Sequence, residues 1–297
     1  MQWRHFSQLV GLSALWGASF LFLRITSPQL GPHVLAATRI GLATLTLAVI
    51  MATLRHRWPW RHWRELSLLG ALSVAVPFLL YAWAALKLPA GYSALLNSSA
   101  VAFGTLASAW MKEDRLTARK MIGCALGFAG VALIVRLGPV EPTPEILLAA
   151  LACLTAAACY GLSAPLMKRA TGHMEPLAIA AGIHLASLAM VLPGAAWTWP
   201  QARWSVEAAA VVALLGVLTS GLAFWLNLRV LRHVSAVAAI TPAFMIPVFG
   251  VTWGHLFLGE PLGSGIWAGG ALILAATALV TGFNPVRALW DAAAARP

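Results

Sequence analysis

Apolar residues in this chain do not alternate with polar ones but run on without interruption. Charge-free stretches cover residues 5–23, 66–86, 88–111, 146–167, 176–202, 208–228, 233–259 and 261–286. Each is close to the roughly 20 residues that an α-helix needs to cross a hydrocarbon core about 30 Å thick. Two further stretches complete the series: 33–54, which encloses Arg39, and 117–137, which is edged by basic residues. The pattern predicts an all-α membrane protein of ten spans, numbered one to ten in chain order. Strands of a membrane barrel would instead alternate over about ten residues, facing lipid and lumen in turn. Continuous apolar runs fit helices, which satisfy their backbone polar groups within the segment. The connections are short, RHRWPWRHWRE at 55–65 among them, so no soluble domain fits between spans.

Composition agrees, since 60% of residues are hydrophobic and only 10% charged, against about 25% charged in a soluble domain. A net charge of +11 would, in a soluble protein, suggest an anionic partner such as nucleic acid. Its placement gives a different reason. With the N-terminus inside, the inner segments carry fifteen Lys and Arg, from Arg4 through Arg55, Arg57, Arg61 and Arg64 to Arg287 and Arg296. The outer segments carry only Arg24, Lys87, Arg136 and Arg203. This is the positive-inside asymmetry. It places both termini in the cytoplasm, removes the case for nucleic acid and makes anionic lipid the natural counter-charge. Cys124, Cys153 and Cys159 all lie within spans and have no CxxC or Cys/His ligand spacing. They read as packing residues, and no metal or cofactor is expected. Arg4 ahead of the first span imitates a secretory leader, but the repeat in the chain requires that span in the mature protein.

The repeat shows first in LWGASFLFLR at 15–24 and CYGLSAPLMK at 159–168. Trp16, Gly17, Ser19 and Arg24 correspond to Tyr160, Gly161, Ser163 and Lys168, each pair 144 positions apart. Pro32 and Pro176 continue the offset at the heads of spans two and seven. Residues 86–97 align with 231–242 after a shift of one or two, and 112–134 match 259–280, each with an acid, Glu113 or Glu260, before a Gly-rich helix. Each half therefore holds five spans, and an odd number gives tandem copies opposite orientations. That is the inverted-topology repeat of secondary transporters, with a site near the midplane that opens alternately to each side.

With WGASF, its copy YGLSA and the closing segments WMKEDRLTARKMIGCALGFAGVALI and FLGEPLGSGIWAGGALILAATALV, the chain resembles the drug/metabolite transporter superfamily, EamA-type branch. Within that branch it looks most like the YddG-type exporters of aromatic amino acids. The resemblance covers essentially the whole chain. It implies a multi-pass protein of the bacterial inner membrane with five-helix repeats at 1–142 and 143–297. Four helices of each repeat would line a central cavity, and the fifth and tenth spans would lie at the periphery. It also implies a small-molecule substrate, an amino acid or related metabolite, exported by alternating access. The small-xxx-small glycines of GCALGFAG and GIWAGG read as packing within one chain, hence a monomer.

Every Asp and Glu falls in a loop or at a span end. A drug/proton antiporter needs an acid at membrane depth to hold proton and cation in turn, so that reading loses ground. What lies at depth is neutral, aromatic or basic. Trp16 and Ser19 are candidates for one cavity wall, Tyr160 and Ser163 for the wall opposite. Arg39 is a candidate to hold a substrate carboxylate; the alternative is a structural cation paired to backbone carbonyls. His184, one residue from Arg39 in the repeat, could couple protons or simply pack as a hydrogen-bonded ring. Tyr81, Asn97, Ser98 and Thr241 bring further hydrogen-bonding groups to spans three, four and nine. Asn227, near the inner end of span eight, reads as a tie between helices. Arg24 and Lys168 end their spans on opposite faces and read as boundary anchors. A membrane enzyme acting on lipid headgroups through His56 and His62 is the alternative of a different class. It lacks a nucleophile or metal-ligand set beside those histidines.

Overall fold

The computed structural model describes residues 3–88, 90–134, 143–258 and 265–282. Among these residues every regular element is helical and there is no strand. Helix Trp3–Thr53 has 51 residues, about 76 Å at 1.5 Å per residue, far more than one membrane crossing. It is two spans joined by a turn. Gly31 has φ 71° and ψ 160°, a backbone that glycine alone adopts without strain. Trp16 and Arg39, on either side of this turn, both hydrogen-bond to Thr219, so the legs 3–30 and 32–53 lie side by side. The sequence pattern leaves a gap between spans one and two; the structure fills it with helix up to the single non-helical glycine.

Span three is Trp60–Ala84, span six Pro144–Ala170, span seven Pro176–Gln201 and span eight Val206–Leu231. Their starts follow local chemistry. Thr143, Ser205 and Ser235 accept hydrogen bonds from the amides of Ile146, Ala208 and Ala238, which satisfies donors that the first helical turn leaves open. Pro144 and Pro176 follow in the first turn, where no amide proton is needed. Spans five and ten are helices Ala118–Ile134 and Gly265–Thr281.

Spans four and nine are each divided into two helical segments. Span four is Ala90–Ser98 followed by Ala100–Trp110, and span nine is Ala236–Ile240 followed by Pro242–Leu258. At the first break the hydroxyls of Ser98 and Ser99 donate to the carbonyls of Leu95 and Leu96. At the second Thr241 donates to the Ala238 carbonyl, next to a proline that has no amide proton. Side chains thus take over carbonyls that the helical ladder gives up. Spans three and eight also share an irregularity, with π-helical stretches Ala71–Ala75 and Leu215–Leu222 beginning 144 residues apart. Such insertions gather at functional sites.

The two halves pack by exchanging equivalent contacts across glycines. A Cβ on Gly17 would lie 2.8 Å from Phe249 Cβ, and a Cβ on Gly161 2.5 Å from Phe103 Cβ. Span one therefore seats on span nine as span six seats on span four. Likewise a Cβ on Gly70 would meet the Ile183 carbonyl at 2.7 Å, and one on Gly216 the Arg39 carbonyl at 2.9 Å. Arg39 and Ile183 are themselves 144 residues apart. The inverted repeat read from spacing is thus a repeat of contacts. Arg24 and Lys168 are equivalent in the same way: Arg24 donates to the Ala85 and Leu88 carbonyls at the end of span three, and Lys168 to the Leu231 and Arg232 carbonyls at the end of span eight. Both are cations set on the carbonyl end of a helix. The sequence readings for Arg136, Glu141, Glu260, Arg287 and Arg296 lie outside the described residues.

A methyl group at Gly161 forces either backbone or Phe103 to move. Gly161→Ala is expected to destabilise the protein by roughly 1–3 kcal/mol. Gly41→Ala, whose new methyl would find its nearest neighbour at 3.8 Å, is expected to be neutral or stabilising by up to about 1 kcal/mol through helix propensity. Thermal unfolding of the two variants in detergent separates these outcomes.

Candidate substrate-binding cavity

Spans one, two, three, four, six, eight and nine enclose a cavity of about 1040 Å³, counted out to its mouth. Its wall carries Trp16, Phe20, Phe78, Tyr81, Tyr160 and Phe224 as aromatic surfaces. Ser19, Arg39, Ser73, Asn97, Ser163, Thr219 and Asn227 are its polar groups. No Asp or Glu lines it among the described residues. A mostly apolar concavity with a few placed polar groups is the usual form of a small-molecule site.

Arg39 is its single cation among the described residues, only 5% exposed. Its Nε donates to Ser220 Oγ at 2.6 Å and its Nη2 to Thr219 Oγ1 at 3.3 Å. Both partners belong to the π-helical stretch of span eight. The guanidinium also lies over the Phe78 ring, 3.9 Å from the centroid, a cation–π contact that offsets part of the cost of burial. The partners are hydroxyls and an aromatic face rather than the backbone carbonyls of the structural alternative. Among the described residues no carboxylate pairs with it, and a guanidinium has five N–H donors, of which two are used there. The remaining donors are available on a residue that lines the cavity.

The other candidates divide into those that line the cavity and those behind it. Trp16 lines it while its indole Nε1 donates to the Thr219 carbonyl at 2.8 Å, crossing from the first half to the second. Tyr81 donates to Asn97 Oδ1 at 2.9 Å, and its ring meets Phe20 edge-on at 5.4 Å and stacks beside Tyr160 at 6.1 Å. Ser163 donates to the Tyr160 carbonyl within its own helix. Ser19 Oγ is buried without a partner. Three candidates do not line the cavity. Ser98 and Thr241 are fully buried at the breaks of spans four and nine, where their hydroxyls serve local carbonyls. His184 is fully buried too: its Nδ1 donates to the Ala180 carbonyl at 2.8 Å, its Nε2 has no partner, and its ring meets Phe224 edge-on at 5.1 Å. Phe224 therefore stands between His184 and the cavity.

Sequence reasoning passed over Phe20, Ser73, Phe78, Thr219 and Phe224, and it set Asn227 aside as a tie. Asn227 lines the cavity, and its Oδ1 is buried without a donor. A signal was present. Ser73 and Thr219, Phe78 and Phe224, and Tyr81 and Asn227 are all 146 residues apart, the offset of 144 having grown by two between span two and span three. His56 and His62, the residues of the enzyme alternative, belong to different surroundings: His56 lines a separate pocket on the basic face with Trp225, Arg229 and His233, whereas His62 approaches Glu65 and His173.

The family model for EamA-like transporters matches the chain twice, over residues 7–136 and 147–282. The chain belongs to the EamA-like transporter family. It is thereby a multi-span membrane transporter of two repeats. Curated relatives include a "probable terminal-alkyne amino-acid exporter" of Streptantibioticus cattleyicolor, 26% identical over 89% of each chain. An uncharacterised transporter of Bacillus subtilis, YvbV, is 24% identical over 92% of this chain and 90% of its own. An uncharacterised inner membrane transporter of Escherichia coli K12, YedA, is 24% identical over 93% and 90%. A solved crystal structure superimposes with a TM-score of 0.78 at 19% identity, covering 95% of this chain and 97% of the other, and so shares its fold.

Tyr81→Phe leaves Asn97 Oδ1 without its hydroxyl donor in a buried place. It is expected to cost roughly 1–3 kcal/mol. Tyr81→Phe with Asn97→Leu should recover part of that loss, because the stranded acceptor is gone. A double-mutant cycle on unfolding stability measures the coupling.

Proposed function

We propose that this transporter exports amino acids, aromatic ones among them, and related small carboxylate metabolites across the bacterial inner membrane. The observation that carries the reading is Arg39: a buried cation on the cavity wall with unused N–H donors and no protein carboxylate. An unpaired buried charge is costly. A substrate carboxylate would supply the missing charge through two parallel N–H donors. Aromatic walls suit an apolar side chain, and Asn227 Oδ1 offers an acceptor to a ring donor. The name of the Streptantibioticus relative, an amino-acid exporter, points the same way in substrate class and direction. The likeness to YddG-type exporters belongs to this proposal, as does action as a monomer.

Transport then proceeds by alternating access, with the five-span halves 1–142 and 143–297 moving about the cavity. Among the described residues the lining holds no carboxylate, so in this reading no proton-binding acid takes part and net flux follows the substrate gradient. A cationic drug would meet Arg39 as a like charge, which disfavours the drug/proton antiporter.

Purified protein in liposomes is expected to exchange labelled tryptophan, tyrosine or phenylalanine in counterflow with no imposed pH gradient. If none of these exchanges, the substrate class is wrong. Arg39→Gln should weaken substrate affinity by roughly 10- to 100-fold, the worth of a charge-assisted contact of about 1.5–3 kcal/mol. Asn227→Leu should leave phenylalanine exchange intact while lowering that of the ring donors tyrosine and tryptophan.

A further inference from the structure

Away from the cavity, on the arginine-rich face, three side chains from two halves of the chain point at one another. His62 closes the 3₁₀ turn Trp60–His62, Glu65 lies in the first turn of the helix that follows, and His173 lies in the loop after span six. His173 Nε2 is 3.0 Å and His62 Nδ1 3.7 Å from the same oxygen, Glu65 Oε2. The nearest ligand atoms of all three residues lie within 4.8 Å of one another.

A hydrogen bond accounts for only one edge of this triangle. At 3.7 Å the His62–Glu65 pair is too long to be one. His62 is also the residue ahead of the helix start, yet its side chain caps no backbone amide. Ligand atoms around a tetrahedral zinc ion, with bonds of 2.0–2.2 Å, sit about 3.4 Å apart. Two of the three edges fall on either side of that value, and the third is no longer than 4.8 Å.

The surroundings tie down the segments that carry the ligands. Arg232 donates to the Thr171 and Met174 carbonyls and pairs with Glu175, which clamps the loop on both sides of His173. The His62 amide donates to the Pro59 carbonyl. Neighbouring cations have other partners: Arg169 pairs with Glu113, and the Arg64 guanidinium lies over Trp63.

We propose that His62, Glu65 and His173 form a site for one divalent metal ion of the zinc class, with solvent completing the shell. Two imidazoles and one carboxylate suit zinc and, by the same donor preference, cobalt or nickel, rather than the all-oxygen coordination of magnesium or calcium. His62 and Glu65 belong to the first matched repeat and His173 to the second. The ion therefore ties the basic end of span three to the loop ahead of span seven, above the seam where Gly70 meets the Ile183 carbonyl. Its effect is to hold that seam together, independently of which substrate the cavity takes.

The test uses tag-free full-length protein, stripped with chelator in detergent and titrated with Zn²⁺ or Co²⁺. The expected result is one equivalent bound per chain, a saturable rise in Tm, and the visible absorption of low-coordinate Co²⁺. Glu65→Gln, His62→Ala and His173→Ala should each weaken binding by at least roughly tenfold, since each removes one of three ligands. His56→Ala, on the same face but outside the cluster, should bind as the parent does. The ligands are 35–45% exposed, so metal-free variants are expected to melt near the metal-free parent, and that melt separates lost binding from lost fold. Absence of a saturable equivalent, or an equivalent that survives Glu65→Gln combined with His173→Ala, overturns the proposal.

Discussion

Backbone meeting backbone across Gly17, Gly161, Gly70 and Gly216 is the contact on which the architecture rests. Lipid tails are as apolar as leucine, so the hydrophobic effect does not press one span against another in the membrane. Close packing must supply the attraction, and it requires positions where no Cβ intervenes. Here those positions place each half's first span on the other half's fourth, and each half's third span on the other's second. The halves are interlocked rather than abutted, and the cavity is the space left where the remaining faces cannot close.

That cavity is nearly two-fold in position and far from two-fold in chemistry. Trp16 answers to Tyr160, Ser19 to Ser163 and Ser73 to Thr219, but Phe20 answers to Ala164, Tyr81 to Asn227, Asn97 to Ala243 and Arg39 to Ile183. The first half supplies the larger member of most unequal pairs, and in Asn97 and Arg39 the polar one as well. A symmetric frame can open to either side at similar cost, while an asymmetric lining holds a substrate in one orientation. Arg39 concentrates that asymmetry. Its burial is made tolerable by Ser220, Thr219 and the Phe78 ring, all too weakly charged to compete with an anion. A protein carboxylate in the same place would satisfy the cation permanently; under the proposed function that role falls to the substrate.

Irregular backbone recurs at the cavity. The π-helical stretch of span eight presents Thr219 and Ser220 to Arg39, and the breaks of spans four and nine fall next to lining residues Ala100 and Pro242. Such departures are tolerated at membrane depth only where side chains or protein neighbours satisfy the released groups. Ser98, Ser99 and Thr241 do that work on the carbonyls just before each break. This explains why Ser98 and Thr241, polar and at the right depth, face away from the cavity.

Much was legible in the sequence because the membrane makes it local. A roughly 20-residue crossing length, the asymmetry of Lys and Arg, and an odd number of spans per copy are read along one chain without knowing any contact. Spans and inverted repeat follow from that, and the repeated motif with the polar groups at depth marks several residues that line the cavity, Trp16, Ser19, Arg39, Tyr81, Asn97, Tyr160 and Ser163. What tertiary structure decided is the rotation of each helix about its own axis. Spans apolar on every side carry little amphipathic signal to reveal which face turns inward, so Phe78, Thr219 and Phe224 do not stand out, Asn227 reads as a tie and His184 as a site candidate. The approach of His173 to His62 and Glu65, across 108 residues, lay equally beyond reach, because only the packing of one half on the other brings those loops together.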